Sequence, residues 1–220
     1  MKTPPASLYR RRGKRLLDLA LLMLALPVGL PAAAVLALAV RLRLGPPVLF
    51  RQPRPGQGER IFTLYKFRTM TDARGPGGEL LPDARRVTAI GQFLRKTSLD
   101  EIPELLNVLR GEMSLVGPRP LLIRYLPYYS DAERVRFTVR PGITGWAQVH
   151  GRNNLSWDDR LALDAWYAEH VTLALDVKIL WRTLLQVLRG KDVQVVPNLV
   201  MADLDEERRP STVEKWEVFS

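Results

Sequence analysis

The chain of 220 residues is long enough for one domain with appendages, and its 46% apolar content supports a sizeable core. No cysteine and only two histidines are present, which excludes disulfide frameworks, thiolate metal sites, cysteine nucleophiles and histidine metal clusters. Any metal would sit on carboxylates and phosphates, a donor set suited to a hard cation such as magnesium. The net charge of +10 is unevenly spread: residues 1–15 carry six basic groups and no acid, whereas residues 201–220 carry six acids against three bases. A basic chain favours nucleic acid, an anionic membrane surface or phosphorylated substrates, and composition alone does not choose among them.

Residues 16–40 form an apolar stretch with a single charge, Asp18. As a helix, 25 residues would reach about 37 Å, enough for a hydrocarbon core about 30 Å thick. A cleaved signal peptide fits poorly, because the stretch is long for such a leader and no polar mature start follows. Pro27 and Pro31, with Gly29 between them, kink or break a helix at mid-segment. Basic residues flank both ends, the arginine cluster before Leu16 and then Arg41 and Arg43. Basic flanks prefer the cytoplasm, so a re-entrant hairpin that turns near Pro27 satisfies both. A kinked spanning helix satisfies the apolar length equally, and both readings stay open.

Residues 45–55 hold Gly45, Pro46, Pro47, Pro53 and Pro55, a loop-rich exit. Val48–Arg51 and Ile61–Phe67 read as strands of a hairpin around Pro-Gly-Gln-Gly at 55–58. Gly-Pro-Gly-Gly at 75–78 marks a flexible loop. Ser130 and Glu133 have capping-box spacing, and Ser156 precedes a helix over Trp157–His170. Residues 173–189 form the clearest late helix, ended by Gly190. Either a core position or the membrane interface suits that helix. The tail from about residue 198 is polar, locally acidic and expected to be peripheral.

The densest chemistry lies in residues 95–120, RKTSLDEIPELLNVLRGEMSLVGPRP. Pro103 disfavours a helical Ile102 and suits a first helical position, so a helix from Pro103 to about Arg110 is expected, closed by Gly111. Asp100 and Glu101 then lie in the turn before it; a start at Ser98, with Glu101 closing a capping box, would keep them in the first turn. Acids at a helix start are commonly caps. The surrounding cations point elsewhere. Arg95 and Lys96 precede the pair, and Arg119 stands between two prolines in Gly117-Pro118-Arg119-Pro120. Two acids with several arginines suit phosphoryl transfer: the acids bind magnesium or attack phosphorus, and the cations neutralise charge.

Four motifs in order now coincide: Lys14-Arg15-Leu16-Leu17-Asp18, Tyr65-Lys66-Phe67-Arg68-Thr69-Met70, the 95–120 run, and Arg140-Pro141-Gly142-Ile143-Thr144-Gly145. On these the chain resembles the bacterial sugar transferase family, the monotopic phosphoglycosyl transferases, over roughly residues 13–197. The resemblance implies transfer of a sugar 1-phosphate from a UDP-sugar to polyprenyl phosphate with release of UMP. It implies Asp100 as nucleophile and Glu101 as its magnesium-holding neighbour. Arg95, Arg119 and Arg140 are candidate phosphate contacts, with Lys66 a further one that could equally be a strand-edge lysine. It also implies a re-entrant first helix, which the family breaks at a Ser-Pro pair; here Leu26-Pro27 lacks the serine. His150 stands where asparagine is common; a neutral histidine with satisfied partners is expected there, with a difference in substrate contact as the alternative.

The implied fold class is α+β and mostly helical. Residues 1–44 form a basic start and membrane helix, 45–197 a catalytic domain with a short β-hairpin and amphipathic interfacial helices, and 198–220 a tail. The form is minimal and sits at the cytoplasmic face of the bacterial inner membrane. Partners are the UDP-sugar, the polyprenyl phosphate and the bilayer. A nucleic-acid-binding protein is the alternative reading, but the arginines cluster at the membrane flank and the carboxylates rather than among exposed aromatics. A non-catalytic scaffold is the other. The sugar and the oligomeric state, a homo-oligomer included, are not legible.

Overall fold

The computed structural model describes residues 7–151, 155–189 and 202–209. The fold is α+β and mostly helical, with two small sheets of two strands each. Helix α1 runs from Lys14 to Leu44 with Pro27 and Pro31 inside it. The expected interruption at Pro27 is therefore not a gap in the helix. Each proline removes one backbone donor, while the remaining bonds of an apolar helix continue past it. Among the described residues this is the one helix long and apolar enough to cross a membrane.

Both ends of α1 pack on the same domain. Near its start, Lys14 pairs with Asp176 at 2.6 Å, and Asp18 accepts from the Ser114 hydroxyl and the Leu115 amide, each at 3.0 Å. Towards its end, Val40 is fully buried beside Phe67 and Leu94, with Ala33, Leu36 and Ala37 alongside. Between these anchors, residues 23–32 are exposed or half-exposed on every side of the helix. Leu24 and Val28 are 78% and 77% exposed, an apolar surface that needs a non-aqueous environment.

Strands β1 (Leu49–Pro55) and β2 (Ile61–Phe67) form an antiparallel hairpin in register Leu49↔Phe67 to Pro55↔Ile61. The hairpin was expected, but β1 extends further, through Pro53 and Pro55. Residues two apart in a strand point their amide positions the same way, so both missing donors face the edge away from β2. The Gly-rich stretch at 75–78 is a turn closed by the bridge between Arg74 and Leu80. The short helix α2 (Asp83–Arg86) leads to α3 (Ala89–Lys96), capped by the Thr88 side chain, which accepts from the Gly91 amide. A Cβ on Gly91 would stand 1.9 Å from the Thr69 carbonyl oxygen, so α3 meets the end of the hairpin backbone to backbone.

Helix α4 (Glu104–Arg110) follows Pro103 and closes at Gly111, as expected. The buried Asn107 fastens it to β2, donating to the Thr63 carbonyl at 2.7 Å and accepting from the Tyr65 amide at 3.3 Å. Strand β3 (Ser114–Val116) pairs in parallel with β4 (Gly142–Thr144). Between them, α5 (Asp131–Arg134) carries the expected Ser130–Glu133 capping box. Helices α6 (Trp146–His150), α7 (Trp157–Glu169) and α8 (Leu173–Arg189) complete the domain. Ser156 caps α7 as expected; Gly190 lies outside the described residues. Across α6 and α8, His150 bonds the Trp146 carbonyl through Nδ1 and Arg182 through Nε2. Both ring nitrogens of His150 thus have partners, the satisfied histidine expected.

Helix α8 meets the core on one face only, through Ile179 in the cluster of Val116 and Tyr167. Asp176 and Ile179 are buried, whereas Leu173, Val177, Trp181, Leu184 and Leu188 are exposed. The tail is not wholly peripheral: in the short α9 (Leu204–Glu207), Leu204 is fully buried against Tyr125, Trp157 and Leu161. One apolar side chain in a polar stretch is enough to dock it, and hydropathy averaged over the tail hides that residue.

Candidate active site

Asp100 and Glu101 lie in the 3-10 turn Leu99–Glu101, between α3 and α4. Ser98 precedes it at φ +56°, a left-handed conformation that costs a non-glycine residue roughly 1–2 kcal/mol. That geometry excludes the alternative start in which Ser98 caps a helix, and its side chain makes no cap bond. Ile102, expected outside the helical region, has φ −52° and ψ −40°. Its side chain packs among Val40, Phe67 and Leu94, and this burial overrides the local preference before proline.

Two cations converge on one oxygen of the second acid. Lys66 Nζ and Arg119 Nη2 each donate to Glu101 Oε1 at 2.7 Å. Lys66 also pairs with Glu104 Oε1 at 3.1 Å, so its ammonium is held between two carboxylates from the turn and from α4. Lys66, on the edge strand β2, thus joins both carboxylates in one cluster. Glu104, 2% exposed, is a member of the cluster that sequence reasoning missed. Only its place in the first turn of α4, on the side facing β2, could have signalled it. Asn107 sets that facing, which makes it a second missed residue.

The electrostatics separate the three acids. Burial would raise the Glu101 carboxyl, but Arg119 and Lys66 outweigh it and hold Glu101 well below the usual carboxylate range. Burial dominates at Glu104 and pushes it up to about 7, opposed by Lys66 and assisted by Glu101. Asp100 is raised by burial, against the pull of Lys66, Arg119 and Arg95. At Lys66 burial opposes the charge, yet Glu101 and Glu104 prevail and raise it. The result is a desolvated Asp100 beside a neighbour that stays ionised. A half-buried carboxylate faced by cations is suited to attack an anionic phosphorus centre.

Arg95 donates through Nε to the Thr69 hydroxyl at 3.0 Å, which places its charge within reach of Asp100. Arg119 is carried by the loop after β3. A Cβ on Gly117 would meet the Arg140 carbonyl at 2.4 Å, so two loops press together at the base of the Arg119 turn. Arg136 then holds the Arg119 carbonyl at 2.7 Å while pairing with the buried Asp164 at 2.8 Å. The structure brings together Asp100, Glu101, Lys66, Arg119 and, through Thr69, Arg95. It does not bring the Arg140 side chain to these carboxylates: among the described residues Arg140 forms no ion pair with them. Its backbone adjoins Gly117 instead.

Among the described residues no three His, Asp or Glu side chains gather as a metal-binding group. Magnesium commonly takes one or two carboxylates and completes its shell with water and phosphate oxygens. The adjacent acids Asp100 and Glu101 fit that donor set, with the remaining oxygens supplied by a diphosphate.

Residues 9–190 match the bacterial sugar transferase family, and the chain belongs to that family. It is 54% identical over 155 residues to the uncharacterized sugar transferase EpsL of Bacillus subtilis, covering 70% of this chain and 77% of that protein. It is 40% identical over 186 residues to the UDP-glucose:undecaprenyl-phosphate glucose-1-phosphate transferase of Caulobacter vibrioides, covering 80% of this chain and 69% of that one. It is 42% identical over 164 residues to the undecaprenyl-phosphate galactose phosphotransferase of Salmonella typhimurium, covering 67% of this chain and 34% of that relative. The match thus spans about a third of the longer Salmonella protein.

Proposed function

We propose that the chain transfers a sugar 1-phosphate from a UDP-sugar to polyprenyl phosphate and releases UMP, as an initiating step of bacterial surface-glycan synthesis. One observation carries this reading: half-buried Asp100 stands next to Glu101, on which Lys66 and Arg119 converge. The names of relatives from Caulobacter and Salmonella support the class of donor and acceptor.

In the proposed sequence an Asp100 carboxylate oxygen attacks the sugar-bearing phosphorus. The phosphoanhydride bond breaks, UMP leaves with the bonding electron pair, and an aspartyl phosphosugar remains. A phosphate oxygen of the lipid then attacks the same phosphorus, and the aspartyl bond breaks to restore the carboxylate. This splits one displacement into two. Arg119 and Lys66 offset the charge of the bound donor's phosphate oxygens. Bound magnesium, held by Asp100 and Glu101, would supply further charge neutralisation.

The same reading places the chain at the cytoplasmic face of the inner membrane with α1 re-entrant. Its support is that both ends of α1 pack on one domain, while residues 23–32 stand clear. The exposed apolar stripe of α8 supports an interfacial position beside it. Cysteines introduced near residues 3 and 45 should label from the same side; opposite labelling would exclude the hairpin. The reaction is tested by screening UDP-sugars with polyprenyl phosphate and magnesium in detergent. UMP release from at least one donor is expected, and folded protein that releases none from any donor refutes the assignment.

A further inference from the structure

The match to the family ends at residue 190, yet residues 202–209 are docked on the domain. Leu204 fills a cluster formed by Tyr125, Tyr129, Phe137, Trp157 and Leu161. Around it the polar contacts are numerous. Trp157 Nε1 donates to the Ala202 carbonyl at 2.9 Å, and the Tyr125 hydroxyl donates to Asp203 at 2.6 Å. Arg124 pairs with the other Asp203 oxygen. Arg208 forks onto both oxygens of Glu133, at 2.7 and 2.8 Å, and also holds the Tyr128 carbonyl at 2.9 Å. A two-pronged guanidinium–carboxylate pair with a carbonyl contact fixes orientation as well as position.

The surface it holds leads to the Arg119 turn. Tyr129 packs edge-on against Phe137 within the Leu204 cluster, and its hydroxyl accepts from Arg136 at 3.2 Å. Arg136 in turn donates to the Arg119 carbonyl at 2.7 Å. Glu133, which Arg208 grips, is the residue that closes the capping box of α5, just before Arg136. From these contacts we infer that residues 202–209 are a brace that positions the Arg119 side of the donor site, with Leu204 and Arg208 as its positioning residues. The kinetic half of this inference rests on the proposed transfer reaction; the structural half does not. No group of the brace touches reacting atoms, so its effect passes through Arg136 to the placement of Arg119.

The test compares the full chain with a form ending at residue 201 and with full-length Leu204→Asp, each in detergent. Hydrogen exchange of residues 119–138 and of the start of α7, which the brace also touches, should rise in both variants, with the rest of the domain unchanged. A peptide of residues 202–220 added to the shortened form should restore protection. In turnover, KM for the UDP-sugar should rise about tenfold while kcat and the lipid KM change little, as for a displaced binding group. Unchanged exchange in both variants overturns the inference, as does exchange that rises over the whole domain and is not restored by the peptide. If wild-type protein turns over no UDP-sugar, the transfer reading fails, and exchange with peptide rescue still decides the brace.

Discussion

Arg119 reaches Glu101 across eighteen residues of chain and donates to the same carboxylate oxygen, at the same 2.7 Å, as Lys66. The planar fork of Arg119 can hold that oxygen and still present donors to a phosphate; a lysine offers a single point charge. Arg119→Lys should therefore keep the fold and lose kcat/KM for the UDP-sugar by about tenfold or more, chiefly through KM. Steady-state kinetics with varied donor at saturating lipid phosphate checks this.

Glu101 is held ionised by two cations, and its removal leaves both without their shared partner. Glu101→Gln should lower kcat by about a hundredfold while Asp100 can still be modified, only slowly. Rapid-quench measurement of UMP formed in the first turnover reads this: a slow burst is expected, and an unchanged burst rate would show that Glu101 does not act on the attack step.

Glu104 gives a pH signature. Its carboxyl is pushed up to about 7 from an ordinary 4.5, so the folded chain retains a proton there that the unfolded chain releases. Stability from this group is greatest below pH 4.5 and declines as pH rises to about 7. Glu104→Gln is neutral throughout and lacks that decline. The stability of wild type relative to this variant should fall between pH 4.5 and 7 by on the order of 3 kcal/mol and stay level above. Denaturant midpoints at several pH values, taken on both proteins in detergent, measure it.

Much of the fold was legible because the signals were local. Two runs of strand-forming residues around Pro-Gly-Gln-Gly gave the hairpin, and Ser130, Ser156 and Gly111 marked helix ends that the structure confirms. The site was legible in part, since Asp100, Glu101, Arg119 and Arg95 cluster in sequence. Glu104 and Asn107 were not, because their roles depend on the packing of α4 against β2 and not on their neighbours. Ile102 misled for the same reason: tertiary burial beside Phe67 outweighs the restriction imposed by Pro103. Leu204 was hidden by averaging, one apolar residue among acids. Arg140 was chosen for its motif; in the structure its backbone adjoins Gly117, and its side chain forms no ion pair with the carboxylates among the described residues.

Lys14 and Asp176 tie the start of α1 to α8, with Tyr167 donating to the same carboxylate at 2.6 Å. Removing one member of a buried pair strands the other charge, typically at about 3–5 kcal/mol. Lys14→Met should lower the denaturation midpoint accordingly, and the double variant Lys14→Met/Asp176→Leu should recover much of the loss. A double variant as unstable as the single one would assign the loss to packing and not to the unpaired carboxylate. Thermal unfolding in detergent distinguishes the two.

The central claim is that Asp100 itself takes the phosphosugar. Wild-type protein incubated with its UDP-sugar and magnesium, without lipid phosphate, should gain the mass of one sugar phosphate. Fragmentation should place that mass on Asp100, with one UMP released per adduct, and Asp100→Asn should gain none. UMP release and lipid-linked product formed at full rate by Asp100→Asn, or an adduct on another residue, would contradict the account.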